Sequence, residues 1–268
     1  MAFVETEGAQ VEYLAKGTGR GLVLVHGTGG SAEANWTPLV STLRGERRVV
    51  RPNYSGSGQT VDNGARLTVD YLARQVLAAA DAADAGTFDL VGFSLGAGVA
   101  AHIAATRPER IGSVVLINGF ASCEDPRLRF QFEHWLALAE RDPEAMARLG
   151  LLTGFSPGVL SGFSREALET MVADTVRSTD PLGLARQIQM DLDLDVRAEL
   201  PAIRQRTLVI GSEDDYMVPA VHARAMARAI PGARFMTLPG GHLMPMETPE
   251  TLSRIIEDFI DGAIYFET

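Results

Sequence analysis

Short unbroken apolar runs recur along this chain, and they predict strands covered on both faces, as in a parallel sheet. They are Gly21-Leu22-Val23-Leu24-Val25, Phe88-Asp89-Leu90-Val91, Ser113-Val114-Val115-Leu116-Ile117 and Thr207-Leu208-Val209-Ile210-Gly211. Residues 11–14 alternate instead and predict an edge strand, and 47–51 and 234–238 predict two more. Helical spacing lies between these runs: a short stretch at 36–43, an amphipathic Ala-rich helix over 68–83, another from Ser94 to about Thr106, then 220–229 and 249–260. Strands alternating with helices predict right-handed crossovers and a mostly parallel sheet, with ligands gathering at the carboxyl ends of the strands.

The rhythm changes between 121 and 200. Strand-like runs vanish, and apolar residues recur at helical spacing from Leu128 to Leu136, with further helical stretches near 142–152, 165–177 and 182–192. Pro126, Pro143, Pro157 and Pro181 punctuate them. Residues 121–200 therefore read as a helical cap inserted after the fifth or sixth strand. Residues 1–120 and 201–268 form the core domain.

Composition adds exclusions. A net charge of -10, from 24 basic and 34 acidic residues, gives no basic stripe for nucleic acid or anionic lipid. The single cysteine, Cys123, rules out an intrachain disulfide or a cysteine metal cluster, and Lys16 is the only lysine. No leader-like segment opens the chain and no apolar run is long enough to span a bilayer, so a cytoplasmic protein is expected. With no H-E-x-x-H and no complete phosphate loop, no metal or nucleotide cofactor is expected. The oligomeric state is not encoded legibly.

The chemistry is concentrated at strand ends. Gly92-Phe93-Ser94-Leu95-Gly96 is G-x-S-x-G between an apolar strand and a helix. Alone it also fits a capped strand-to-helix turn; in this context it predicts a strained turn that pushes the Ser94 hydroxyl out of the sheet edge. Leu95 then begins the helix with a free N–H, able to stabilise an oxyanion. His26-Gly27-Thr28-Gly29-Gly30 leaves another strand end, where the Thr28 N–H faces a ligand oxygen; His26 itself reads as a structural histidine. The loop Ser212-Glu213-Asp214-Asp215-Tyr216-Met217-Val218-Pro219 and the turn Pro239-Gly240-Gly241-His242-Leu243 follow two later strands. A serine hydroxyl needs a histidine base, and the base needs an acid to fix its tautomer. The order Ser94, Asp215, His242 supplies all three.

Taken together, these motifs resemble the α/β-hydrolase superfamily, in its capped, epoxide-hydrolase-like and bromoperoxidase-like branch, over nearly the whole chain. The resemblance implies an eight-stranded, mostly parallel sheet with helices on both faces and a helical lid. It implies Ser94 as nucleophile, His242 as base then acid, Asp215 as orienting acid with Asp214 as the alternative, and Thr28 and Leu95 N–H groups as the oxyanion hole. Epoxide hydrolases and haloalkane dehalogenases use an aspartate where Ser94 stands. Serine instead points to hydrolysis of an ester, lactone or thioester of a small apolar molecule through an acyl-enzyme. A histidine base predicts activity rising through neutral pH. Carbon–carbon bond hydrolysis of a diketone-like substrate, perhydrolase or haloperoxidase side activity, and a non-catalytic ligand-binding role are the alternatives. Trp36, Phe93, Phe120, Trp135, Met217 and Leu243 are the expected substrate-contacting residues.

Overall fold

A computed structural model describes residues 1–263. In chain order the elements are β1 (Ala2–Thr6), β2 (Ala9–Lys16), β3 (Gly21–Val25), α1 (Thr37–Ser41), β4 (Arg48–Asn53), β5 (Val61–Asp62), α2 (Val69–Ala82), β6 (Phe88–Phe93), α3 (Leu95–Thr106) and β7 (Ile111–Ile117). Five helices follow: α4 (Pro126–Arg141), α5 (Pro143–Gly154), α6 (Pro157–Gly162), α7 (Arg165–Ser178) and α8 (Pro181–Asp193). The chain then returns with β8 (Arg206–Ser212), α9 (Ala220–Ala229), β9 (Arg234–Leu238), α10 (Met244–Glu247) and α11 (Pro249–Ile260).

The nine strands form one sheet in the order β1-β2-β4-β3-β6-β7-β8-β9, with the two-residue β5 paired to β2. Pairings from β4 through β9 are parallel, whereas β2 is antiparallel to β1, β4 and β5. The expected eight strands thus make the continuous path, and β5 is an addition. Neither β5 nor β1 has an apolar run; β1 is an edge strand whose residues are at best half-buried. Counting both, the helical insertion follows the seventh strand instead of the fifth or sixth.

Strand periodicity explains why the central runs are apolar throughout. Leu22 and Leu24 of β3 pack into one layer with α1 and α11, while Val23 and Val25 pack into the opposite layer with α2 and α3. A half-turn between successive side chains sends neighbours to opposite faces, so both must be apolar. Helix α3 is buried from Leu95 to Ala104, and its small residues admit close neighbours. A Cβ on Gly98 would lie 2.8 Å from Leu194 Cδ2. Helix α11 buries one stripe, Leu252, Ile256, Phe259 and Ile260.

The insertion helices are started by their own sequence. Asp125, Asp142 and Asp180 each precede a proline, and their carboxylates accept N–H groups of the first turn. Ser164 caps α7 likewise. Helix α6 is absent from the apolar pattern, and Trp36 stands before α1 as its N-cap instead of inside the helix. No described helix is long and apolar enough to cross a membrane.

Candidate active site

Ser94 occupies a backbone conformation that serine rarely adopts, with φ 55° and ψ -122°. It is fixed there from both sides: its N–H donates to the Ile117 carbonyl at 2.9 Å, and its carbonyl accepts the Ala97 N–H at 2.9 Å. The flanking glycines are required by space. A Cβ on Gly92 would collide with the Gly96 carbonyl, and one on Gly96 with the carbonyls of Val25 and His26. The turn therefore holds the serine at the sheet edge with only 8% of its surface exposed.

Two loops from later strands meet it. The Ser94 hydroxyl lies 3.0 Å from His242 Nε2, and His242 Nδ1–H donates to Asp215 Oδ2 at 2.7 Å. The other Asp215 oxygen, Oδ1, accepts the Met217 and Val218 N–H groups at 2.9 and 2.7 Å. All three side chains are buried, whereas Asp214 is exposed. The geometry thus gathers Ser94, His242 and Asp215 and leaves Asp214 aside. Phe93 packs against the imidazole with ring centroids 5.0 Å apart. Asn118, at positive φ at the end of β7, donates from Nδ2 to the His242 carbonyl at 2.9 Å and accepts the Ser212 N–H at 2.8 Å. It ties the ends of β7 and β8 to the histidine turn, a bracing role that its non-acidic side chain does not announce in the sequence.

The loop after β3 lies on the other side of Ser94. Thr28, like Leu95 at the start of α3, has an N–H that finds no acceptor among the described residues. The loop is held by polar groups the sequence reading passed over. Gln187 Oε1 accepts the Gly29 N–H at 2.8 Å, and its Nε2 donates to Ser55 and Ser57. Asp191 Oδ2, one helical turn on in α8, accepts the Thr28 hydroxyl at 2.7 Å. Their only sequence signal is a pair of polar residues, four apart, on the buried face of α8. A further tie links the insertion to the histidine turn. Glu247 Oε2 accepts the N–H groups of Gly241 and Ser156 at 3.1 and 3.0 Å, and the Leu243 N–H donates to the Gly154 carbonyl at 2.8 Å.

His26 is fully buried, donates from Nδ1 to the Gly27 carbonyl at 2.8 Å and stacks on Tyr54 at 3.9 Å. Burial lowers its pKa to about 4. Below about pH 6.5 an unfolded histidine takes a proton that the native site refuses until about pH 4. Stability is therefore lost as pH falls through that window, by about 3 kcal/mol in all. Urea midpoints at pH 7 and 4.5 should show this loss, and His26→Asn, which keeps a donor for Gly27, should shrink it. An equal acid loss in the variant would refute the assignment.

The remaining histidines lie elsewhere. His102 bonds Glu199 at 2.8 Å, and His134 is exposed. His222 is half-buried near the start of α9, and burial lowers its pKa. No group of three or more metal-binding side chains occurs among the described residues.

A cavity of about 200 Å³ opens onto Ser94 and His242. Thr28 and Asp191 add polar wall, and Phe93, Phe132, Trp135, Leu184, Met217 and Leu243 supply much of the apolar wall. Trp36 and Phe120, expected to touch substrate, are not part of it. Both are fully buried one layer back, Trp36 edge-on to Phe93 and Phe120 against Phe132. Proximity to a strand end placed them near the site, but the side chains in front of them take the surface.

A family model described as the alpha/beta hydrolase fold matches residues 22–249. A pyrrolizixenacetamide deacetylase of Xenorhabdus hominickii is 44% identical over 257 residues, covering 96% of this chain and 97% of that protein. A putative carbamate hydrolase, RutD, of Caulobacter vibrioides is 29% identical over 250 residues, covering 91% and 92%. Among solved structures, MGS-M2, an alpha/beta hydrolase enzyme from a Medee basin deep-sea metagenome library, superposes with a TM-score of 0.89 at 21% identity, over 100% of this chain and 99% of that one.

Proposed function

The chain belongs to the α/β-hydrolase family, and on that premise we propose that it is a serine hydrolase transferring a small acyl group from an ester or amide to water. The observation carrying this reading is the buried relay from Ser94 Oγ to His242 Nε2 at 3.0 Å and from His242 Nδ1 to Asp215 at 2.7 Å. Ser94 Oγ attacks the carbonyl carbon while its proton passes to Nε2. Asp215 holds the proton on Nδ1 and stabilises the imidazolium. Negative charge on the acyl oxygen is met by the N–H groups of Leu95 and Thr28. His242 then protonates the departing oxygen or nitrogen, and a water activated by His242 releases the acyl group.

The sequence reading favoured ester, lactone or thioester. Similarity to a deacetylase whose named substrate is an acetamide widens the class to amides and favours a short acyl group such as acetyl. The apolar wall above Ser94 suits a largely apolar remainder of the substrate. Residues 121–200 serve as the cap over it.

Intact mass after treatment with a fluorophosphonate tests the nucleophile. One adduct is expected on the wild type and none on Ser94→Ala. Unlabelled, folded wild type that also leaves acetyl esters and acetamides intact would overturn the reading in favour of ligand binding without turnover.

A further inference from the structure

Asp191 does nothing in the acyl-transfer cycle described above, yet it lies in the wall of the same cavity. It is 1% exposed. Oδ2 accepts the Thr28 hydroxyl at 2.7 Å, while Oδ1 is buried without any partner. Its attachment point is the residue whose N–H we assign to the oxyanion. A buried carboxyl with one oxygen satisfied and the other free is costly unless a ligand completes it.

Among the described residues no cation pairs with it. The titratable groups facing it are the Tyr54 phenol, pushed up by burial and by the Asp191 charge, and the Cys123 thiol, pushed up by burial and by nearby carboxylates, Asp191 among them, against the charge of Arg129. Arg129, from the neighbouring α4, reaches the Leu192 carbonyl at 3.4 Å. Arg186 and Asp193, on α8 itself, are engaged by Asp62 and Arg66. His242 shares the cavity but is already committed to Asp215 and Ser94. Burial raises the Asp191 pKa well above the usual carboxylate range, opposed only by the Thr28 hydrogen bond. A neutral acid here can carry its proton on Oδ1 while Oδ2 accepts from the Thr28 hydroxyl.

We propose that Asp191 works as a neutral carboxylic acid whose Oδ1–H donates to the acyl oxygen of the bound substrate, beside the Thr28 N–H. It would be a side-chain member of the oxyanion site, rests on the acyl-transfer reading of Ser94, and must be uncharged to act. An ionised Asp191 would repel the developing oxyanion. The proposal therefore gives the pH profile a second limb: activity rises as His242 loses its proton and falls when Asp191 ionises at higher pH.

Asparagine keeps the shape, accepts from Thr28 through its oxygen and donates through its amide, but never ionises. With 4-nitrophenyl acetate, Asp191→Ala should lose roughly 10²-fold in kcat with a much smaller change in KM, as expected for a contact made in the transition state. Asp191→Asn should recover at least tenfold of that loss and lack the alkaline limb. A second measurement needs no turnover. A raised native pKa means that the unfolded chain releases this proton first, so wild-type stability declines as pH rises above about 4 towards the native pKa. The Tm of Asp191→Asn should therefore gain on that of the wild type between pH 5 and 8.

A Tm difference independent of pH would overturn the neutral acid. A pH-dependent difference with kcat of Asp191→Ala within threefold of wild type would overturn the substrate contact, leaving Asp191 a scaffold for Thr28. Hydrolysis retained by Ser94→Ala would instead overturn the acyl-transfer reading; the Tm result does not depend on it.

Discussion

Exchanging Ser94 for alanine is expected to lower kcat for an acetyl ester by about 10⁶, His242→Ala by a similar factor, and the double variant by no more than either alone. The reason is in the relay. The Ser94 hydroxyl is 3.0 Å from His242 Nε2, and neither group has chemistry to perform without the other. Without the hydroxyl there is no nucleophile for the imidazole to activate; without the imidazole the hydroxyl proton has no acceptor. Losses within such a unit do not multiply. A small residual rate should persist in all three variants, because the N–H groups proposed to bind the oxyanion, those of Thr28 and Leu95, are untouched. Steady-state rates with Tm measured alongside test this. Single losses that multiply in the double variant would show that the two residues act independently, and the relay would have to be abandoned.

Asp215→Asn should cost about 10⁴ in kcat and leave the fold intact. Asp215 divides its two oxygens: one accepts two backbone N–H groups from Met217 and Val218, and the other accepts the His242 Nδ1–H. Asparagine has a single oxygen, and the two backbone donors hold it. Its amide then faces Nδ1 and donates to it. The imidazole proton is driven to Nε2, where it can no longer accept from Ser94. Asp214→Asn alters an exposed side chain and should stay within a few-fold of wild type. If Asp214→Asn proved the more damaging substitution, the orienting acid would have to be reassigned.

How much of this the sequence discloses depends on whether a signal is local. The parallel core strands are legible because burial on both faces leaves no room for polar positions, as at Leu22–Val25. Ser94 is legible because the turn that strains it also demands small neighbours at 92 and 96. His242 and Asp215 are legible as residues leaving strand ends in a known order, though only the backbone of the 213–218 turn separates Asp215 from Asp214. Edge strands β1 and β5 escape because their exposed faces are not uniformly apolar. Gln187 and Asp191 escape for a different reason. Their partners lie 158 and 163 residues away in the chain, and no spacing rule links a polar pair in α8 to a glycine loop after β3. Trp36 and Phe120 were misplaced by a single side-chain layer, a distance that strand position does not resolve.

The attachment of α8 has a kinetic meaning. Gly29 and Thr28, on one side of Ser94, are suspended from Gln187 and Asp191, and α8 is latched to β5 by the paired contacts of Arg186 with Asp62 at 2.9 and 3.0 Å. Lifting α8 to widen the entrance would let go of the Thr28 loop at the same moment. If Thr28 supplies an oxyanion N–H as proposed, a chain with α8 raised would lack that donor, and entry past α8 and turnover would exclude one another.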